Sequence, residues 1–159
     1  MDIEPAGMDD LDAITEEWLD LAAEQLSYGS HLRVADNREP VRMTLARHLA
    51  DGTVLVARES GIVGFVSFET VDGVFEERIT RGRVQNLYVK PACRDRGIGS
   101  ALLDAAEEAL AEAGVEVVAV EAMARNRDAR QLYENRGYEP HRVEYERRVE
   151  SDTHTREDG

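Results

Sequence analysis

The segment Arg94-Asp95-Arg96-Gly97-Ile98-Gly99-Ser100 has the residue types and spacing needed to bind a phosphate group. It follows an extended segment, residues 84–89, and leads into a predicted helix from Ile98 to about Ala113. A short loop between a strand and a helix presents free backbone N–H groups to an anion. Glycine removes the Cβ that would hold the anion away, and arginines add charge-assisted donors. The loop therefore predicts a bound phosphorylated cofactor.

Two other phosphate-binding motifs fit this loop poorly. The Walker A motif requires Gly-Lys-Ser/Thr, but the only lysine, Lys90, lies upstream of the loop. The dinucleotide motif G-x-G-x-x-G requires a third glycine where Leu102 stands, and an acidic residue on a second parallel strand. Glu116 and Glu121 are the residues that could supply this acidic group. A Rossmann-like nucleotide-binding domain is therefore the weaker alternative.

The pattern that fits is R-x-x-G-x-G, formed by Arg94, Gly97 and Gly99. A second motif follows at residues 126–138, with the form N-x-x-A-x-x-L-Y-x-x-x-G-[FY]. Together they resemble the two signatures of the GCN5-related N-acetyltransferases, the GNAT superfamily, and the resemblance extends from about residue 54 to residue 148. It implies an α/β fold with a mixed, partly antiparallel central sheet, flanked by helices and splayed at a bulged strand.

The resemblance also implies an enzyme, an acetyl-CoA-dependent N-acetyltransferase. An acetyl group would pass to a primary amine by direct attack in a ternary complex, with acetyl-CoA as co-substrate and no metal. A protein N-terminus, a lysine, a polyamine and a small amine all remain possible acceptors. Backbone groups of the loop would face the pyrophosphate, and those of the preceding strand would face the pantetheine. The implied cofactor-binding residues are Leu87, Tyr88, Val89, Arg94, Asp95, Arg96, Gly97, Ile98, Gly99, Ser100, Asn126 and Tyr133.

Tyr133 is the predicted general acid, because it matches the tyrosine that the family places near the cofactor sulfur. The ordinary pKa of a tyrosine, about 10, keeps it protonated at neutral pH, as donation to a leaving thiolate requires. The alternative is an aromatic side chain that only packs against Leu132. Asn126 would bond the cofactor, cap the following helix, or do both. Ser100 would donate to a phosphate or cap its own helix.

The general base is less clearly marked. Gln85 and Asn86 stand where many relatives carry a strand glutamate, and an amide does not accept a proton usefully at neutral pH. Glu121 lies five residues before Asn126, near the end of a predicted strand. This spacing is similar to that of the proposed base in bacterial enzymes that acetylate ribosomal-protein N-termini, so we predict Glu121 as the base. Its alternative role is a structural carboxylate paired with an arginine. Glu69 and His31 are reserve candidates.

Composition narrows the function further. The formal net charge of −14 disfavours nucleic-acid binding, which needs a basic face. Only one of the 19 basic residues is a lysine, and this acidic, arginine-rich composition is typical of a protein from a salt-rich cytoplasm. We see no membrane-spanning run and no signal peptide, and Cys93 is the only cysteine, so a cytoplasmic location is expected. The histidines have no metal-ligand spacing.

Hydrophobic periodicity predicts the elements that position these residues. We expect helices from about residue 9 to 26, 40 to 52, 98 to 113 and 127 to 136, and strands at about 53–57, 62–70, 84–89 and 115–122. The continuous apolar run in the last of these strands predicts a central parallel strand covered on both faces. Residues 138–149 are predicted to form a final strand or strand pair. The pattern of residues 71–83 fits a long hairpin and a crossover equally.

The strand before the phosphate loop changes phase along its length. Val84 lies on one phase of the two-residue alternation, whereas Leu87 and Val89 lie on the other. A bulge near Gln85 and Asn86 would bring all three apolar side chains to one face. The alternative is that Asn86 lies on an exposed edge.

Length and pattern predict a single domain over residues 1–150 and a polar, disordered tail at residues 151–159. We expect a monomer or a homodimer, with no nucleic-acid or membrane partner. The competing functional class is a regulatory module that binds acyl-CoA without turning it over. The missing strand glutamate favours that module, and the presence of Tyr133 favours an enzyme.

Overall fold

The computed structural model describes residues 1–73 and 75–149. These residues form a mixed sheet with helices on both faces, in agreement with the predicted α/β fold. The strands are β1 (Asp2–Pro5), β2 (Val54–Arg58), β3 (Ile62–Thr70), β4 (Arg81–Val89) and β5 (Val117–Val120). The helices are α1 (Leu11–Leu26), α2 (Arg38–Asp51), α3 (Ile98–Glu112) and α4 (Arg127–Asn135). None of the helices in the described ranges is long and apolar enough to cross a membrane.

The strands follow their sequence order across the sheet, β1-β2-β3-β4-β5. The first four are antiparallel neighbours, and β5 is parallel to β4. A parallel pair needs a crossover connection, and α3 supplies it between β4 and β5. The loop before α3 therefore lies at the end of β4, where the sequence predicts a phosphate site.

Two apolar cores stabilise the sheet, one on each face. Helices α1 and α2 bury Ile14 and Leu45 against Phe65 of β3. On the opposite face, α3 buries Leu102 and Leu103 among residues of β3 and β4. Fully burying a side chain of this size contributes about 1.5–3 kcal/mol, so the strand that leads to the loop is held rigidly from both sides.

Glycine permits close approach at one point in the sheet. Gly64 of β3 pairs with Val89 of β4, and a Cβ on Gly64 would lie 2.6 Å from the carbonyl oxygen of Tyr88. That distance is shorter than any normal contact, so a larger residue would push β4 away. The position of the C-terminal end of β4 therefore requires a glycine at residue 64 of the neighbouring strand.

Three features differ from the sequence-based expectations. Strand β1 was not predicted, because its four residues give too short an alternation to identify. Strand β5 is not central, because only β4 pairs with it among the described residues, and it is not covered on both faces, because Val117 is 40% exposed. Residues 138–149 contain no strand, and beyond Tyr138 their large apolar side chains, Val143, Tyr145 and Val149, are exposed. The predicted disordered tail, residues 151–159, lies outside the described residues.

Candidate active site

The predicted bulge is present in β4. Ser67 pairs with Asn86 and the next residue of β3, Phe68, pairs with Val84, so Gln85 is the extra residue. The bulge changes the phase of the strand and brings Val84, Leu87 and Val89 to the α3 face. The phase change in the sequence thus identified the bulge correctly.

The side chain of Asn86 is partly buried and hydrogen-bonded, although β4 pairs only with β3 at this residue among the described residues. Its Oδ1 accepts hydrogen bonds from Trp18 Nε1 at 3.2 Å and from Ser67 Oγ at 2.9 Å. These two donors, from α1 and β3, fix the side chain next to the bulge. The amide is therefore a structural anchor for the bulged segment.

The bulge also marks the point where β4 and β5 separate. The two strands pair from Arg81 with Val117 to Val84 with Val120, and there β5 ends. Strand β4 continues to Val89 and pairs only with β3. Among the described residues, β4 beyond the bulge has no neighbour on its β5 side. This opening exposes the backbone that is predicted to bind pantetheine, that of Leu87, Tyr88 and Val89.

The phosphate loop has the backbone geometry of an anion site. Asp95 and Gly97 adopt positive φ angles of 63° and 82°, which turn the chain sharply into α3. No side chain caps α3, and the N–H groups of Ile98, Gly99 and Ser100 donate to no acceptor within the described residues. The positive end of a 15-residue helix dipole lies at the same point. Free donors and a favourable dipole make this helix end suited to a pyrophosphate.

The two arginines of the loop already have carboxylate partners. Arg94 donates from Nε to the carbonyl oxygen of Val89 at 2.8 Å and from Nη2 to Glu24 Oε2 at 2.6 Å. Arg96 binds Glu59, and this ion pair lowers the pKa of the Glu59 carboxyl. These contacts tie the loop to α1 and to the β2–β3 turn. Phosphate contact by either arginine stays a prediction, since it would require the arginine to leave its carboxylate.

Tyr133 lies on α4 and packs against the core under α3. Burial raises the pKa of its phenol to about 12, so the hydroxyl is protonated across the physiological range. Within the described residues, that hydroxyl has no hydrogen-bond partner, whereas the neighbouring Tyr138 donates to Glu107 Oε2 at 2.5 Å. A protonated phenol without a protein partner is chemically suited to donate to a bound group.

Asn126 caps α4, as one of its predicted roles requires. Its Oδ1 accepts a hydrogen bond from the Ala129 N–H at 3.1 Å. The cap orients α4 and so places Tyr133 two turns further along. Cofactor contact by Asn126 stays a prediction.

Glu121 follows the end of β5, and its side chain is 87% exposed. The nearest cation is Arg83, whose Nη1 lies 3.8 Å from Glu121 Oε1. Glu121 thus has the arginine partner that is expected of a structural carboxylate. Its role as the general base stays a prediction. Of the two reserve candidates, His31 contacts Glu146 at 2.9 Å, and Glu69 lies on β3 near α2.

A pocket that sequence reasoning missed lies on the other side of the bulge, between α1, α2 and β4. Its volume is about 170 Å³. The lining contains apolar and neutral polar groups but no carboxylate, and its members are Trp18, Leu32, Asn37, Pro40, Val41, Thr44, Leu45, His48, Gln85 and Asn86. One feature of the sequence could have indicated this pocket: Trp18, the only tryptophan, lies on the apolar face of the predicted first helix.

One further carboxylate is buried beside β4. Glu17 of α1 is 3% exposed, its Oε1 has no hydrogen-bond partner among the described residues, and its Oε2 lies 3.8 Å from Lys90 Nζ. Burial raises the pKa of this carboxyl to about 7, and the Lys90 ammonium opposes the rise. This burial could not be predicted from the sequence, because Glu17 occupies a position that the helical pattern leaves ambiguous.

No group of three or more histidine, cysteine, aspartate or glutamate side chains in the described part of the chain could hold a metal ion. The groups that the site offers are backbone N–H donors, a neutral phenol and an apolar pocket. Such a set can hold an extended anionic cofactor on one side of β4 and a second substrate on the other.

Comparison with known proteins supports this description. A curated relative, the uncharacterized N-acetyltransferase YhfO of Bacillus subtilis (strain 168), is 34% identical over 91 residues, which cover 56% of this chain and 60% of that protein. The chain thus aligns with less than two thirds of that relative's length.

Solved structures share the fold over nearly the whole chain. A GCN5-related N-acetyltransferase from Ralstonia eutropha JMP134 has 27% identity and a TM-score of 0.76, covering 93% of this chain and 97% of that one. A predicted acetyltransferase from Clostridium acetobutylicum, solved with acetyl-CoA, has 17% identity and a TM-score of 0.73, covering 92% and 95%. The family model described as "Acetyltransferase (GNAT) domain" matches residues 50–140, more than half of the chain. The chain therefore belongs to the GNAT acetyltransferase family.

Proposed function

We propose that this protein transfers an acetyl group from acetyl-CoA to a primary amine by direct attack in a ternary complex. The observation that carries the proposal is the arrangement around β4. Beyond the bulge, β4 pairs only with β3 among the described residues, and it leads to the start of α3, where three N–H groups donate to no described acceptor. A linear cofactor with a pyrophosphate at one end and a thioester at the other matches this order of groups. The crystal structure of the Clostridium relative with acetyl-CoA supports the choice of cofactor.

In this proposal the chain holds the cofactor at two places. The N–H groups of residues 96–100 bind the pyrophosphate, and the backbone of Leu87 and Val89 binds the pantetheine. The thioester then lies at the bulge beside Gln85 and Asn86. Fixing both reactants in this way supplies the entropic part of the rate enhancement.

Tyr133 acts on the leaving group. When the amine attacks the thioester carbon, the C–S bond breaks and the thiolate takes a proton from the Tyr133 hydroxyl. The phenol regains a proton as the new amide nitrogen loses one. The high pKa of Tyr133 ensures that the proton is present at the start of the step.

The pocket on the α1–α2 side supports a choice among acceptors. Its lining contains no carboxylate to bind a second positive charge, and one wall consists of Trp18, Val41 and Leu45. A polyamine would leave a cationic group in apolar surroundings, which is costly. We therefore propose an acceptor amine that carries an uncharged, largely apolar substituent, such as a peptide N-terminus.

Turnover with a panel of amines tests the proposal. The protein should release CoA thiol from acetyl-CoA only when an acceptor is present, and mass spectrometry should find one acetyl group on the acceptor. Peptides with an apolar first residue should be better acceptors than spermidine.

A Gly97→Val variant serves as the control. A Cβ at Gly97 meets nothing within 4 Å, so the fold should survive the strain of about 1–2 kcal/mol at its positive φ angle. Its cofactor binding should nevertheless be lost. If the parent protein binds acetyl-CoA but acetylates no amine, a non-catalytic acyl-CoA module is favoured. If the parent protein does not bind acetyl-CoA at millimolar concentration, the proposal is refuted.

A further inference from the structure

His48 is a buried imidazole that connects the acceptor pocket with a second cavity. It lies in the last turn of α2 and is 6% exposed. On one side it lines the pocket with the bulge residues Gln85 and Asn86. On the other side it lines a cavity of about 360 Å³ that also includes Asp51, a residue exposed to solvent. His48 therefore contacts both the site of the reaction and a route to water.

The ring of His48 is held in one orientation. Its Nδ1 lies 2.7 Å from Thr53 Oγ1, and that hydroxyl lies 3.2 Å from the His48 carbonyl oxygen, to which it donates. We assign the ring proton to Nδ1, so that the Thr53 hydroxyl accepts from Nδ1–H and donates to the carbonyl oxygen. This arrangement leaves Nε2 with a lone pair, which is the form that accepts a proton.

The surroundings keep this imidazole neutral. Desolvation lowers the pKa of His48 from its ordinary value, and Arg47 lowers it further. Glu69 from β3 and Asp51 from α2 oppose this lowering of the pKa, and so does a hydrogen bond between the ring and the Gln85 side chain of β4. At neutral pH the ring is therefore a free base beside a pocket that has no carboxylate.

We propose that His48 is the group that removes the proton from the acceptor ammonium. The assignment rests on the proposed acetyl transfer. An N–H bond of the ammonium breaks, the proton moves to His48 Nε2, and the nitrogen lone pair becomes available to attack the thioester carbon. The imidazolium then returns its proton to water through the second cavity. This assignment replaces the missing strand glutamate with a residue from α2, and it leaves Glu121 with its ion pair to Arg83.

Removal of the imidazole tests the assignment. In His48→Gln, kcat/KM for the best amine should fall by about 100-fold or more, the usual contribution of a general base. The acetyl-CoA dissociation constant should stay within about twofold. In the parent enzyme, kcat/KM should fall on the acidic side of pH 6.5, where His48 becomes protonated, and this limb should be absent from the variant. In His48→Ala, added imidazole should restore turnover at least about tenfold.

A matched control is His141→Gln, which removes an exposed imidazole outside both cavities and should change none of these values. Thermal unfolding of each variant shows whether it folds, and the acidic limb of the parent enzyme tests the assignment even if a variant does not. A parent profile without an acidic limb at any pH at which the protein remains folded would overturn it, as would an acidic limb that disappears in Glu121→Gln and persists in His48→Gln. If the parent protein acetylates no amine, both the proposed acetyl transfer and the assignment of His48 are refuted. If His48→Gln is as active as the parent, only the assignment of His48 is refuted.

Discussion

Tyr133 and Tyr138 form a matched pair whose hydroxyl groups can be removed one at a time. Their ring centroids lie 5.9 Å apart with an interplanar angle of 61°, and both rings pack against the core under α3. Only the Tyr138 hydroxyl has a protein partner within the described residues, the carboxylate of Glu107 at 2.5 Å. Phenylalanine at either position keeps the ring, so we predict opposite effects on activity and stability.

Tyr133→Phe should lower activity without lowering stability. The lost hydroxyl donates to no described residue, so its removal leaves no protein group unpaired, and the free energy of unfolding should change by less than about 0.5 kcal/mol. If the hydroxyl protonates the leaving thiolate, kcat should fall by about 100-fold or more. Because the pKa of Tyr133 is about 12, the parent enzyme should show no loss of activity from this group below pH 9.

Tyr138→Phe should do the reverse. A hydrogen bond to a charged group contributes about 1.5–3 kcal/mol, and partial exposure of Glu107 reduces this to about 1–2 kcal/mol. For a chain of this length the melting temperature should fall by roughly 3–6 °C. The rate of acetyl transfer should stay within about twofold of the parent.

Two measurements on each variant decide the outcome: thermal unfolding, and single-turnover acetyl transfer with saturating acetyl-CoA. If Tyr133→Phe turns over at the parental rate, Tyr133 is not the general acid. If both variants lose activity in proportion to their loss of stability, the two tyrosines are packing residues only and the argument from their partners is refuted.

The remaining predictions concern the cofactor loop, the sheet and the buried carboxylate. Arg94→Ala combined with Arg96→Ala should weaken acetyl-CoA about tenfold and leave acetyl-pantetheine within about twofold in a binding assay; equal weakening of both would contradict phosphate contact. Gly64→Ala should lower the free energy of unfolding by about 1–3 kcal/mol, because its Cβ would lie 2.6 Å from a carbonyl oxygen, whereas Gly61→Ala, with nothing within 4 Å, should cost far less; similar melting temperatures would refute the close approach. Glu17→Gln should stabilise the protein at pH 8 by about 1–3 kcal/mol relative to the parent, with little gain at pH 4.5. The sign follows because the folded-state pKa of about 7 lies above the ordinary 4.5, so the parent loses stability as pH rises between these values; a pH-independent difference between parent and variant would contradict it.

The sequence predicted the backbone of the loop before α3 and the bulge in β4 well, because both depend on local backbone chemistry. Gly97 marks a positive φ angle at the helix start, and the phase change after Val84 marks the bulge. Both signals lie within a few residues of the feature they predict. The family membership follows from the same local motifs.

The acceptor side could not be predicted, because it is assembled from distant segments. His48 appeared in the sequence as one member of a buried helical stripe, and only the packing of α2 on β4 brings it to the bulge. Strand β5 is a similar case: its run of valines indicated a central strand, but among the described residues only β4 pairs with it. The local hydrophobic pattern shows that a side chain is apolar, but it does not show which helix or strand packs against it.

Helix α1 contacts both halves of the site at once. Trp18 contacts Asn86 and lines the acceptor pocket, and two turns later Glu24 binds Arg94 at the start of the cofactor loop. A phosphate that drew Arg94 away from Glu24 would release that end of the helix and change the energy of the wall that meets the amine. Thermodynamic reciprocity then requires the amine to change the affinity for the cofactor by the same factor. In the proposed acetyl transfer, the affinities for the two substrates would thus be coupled through a single helix.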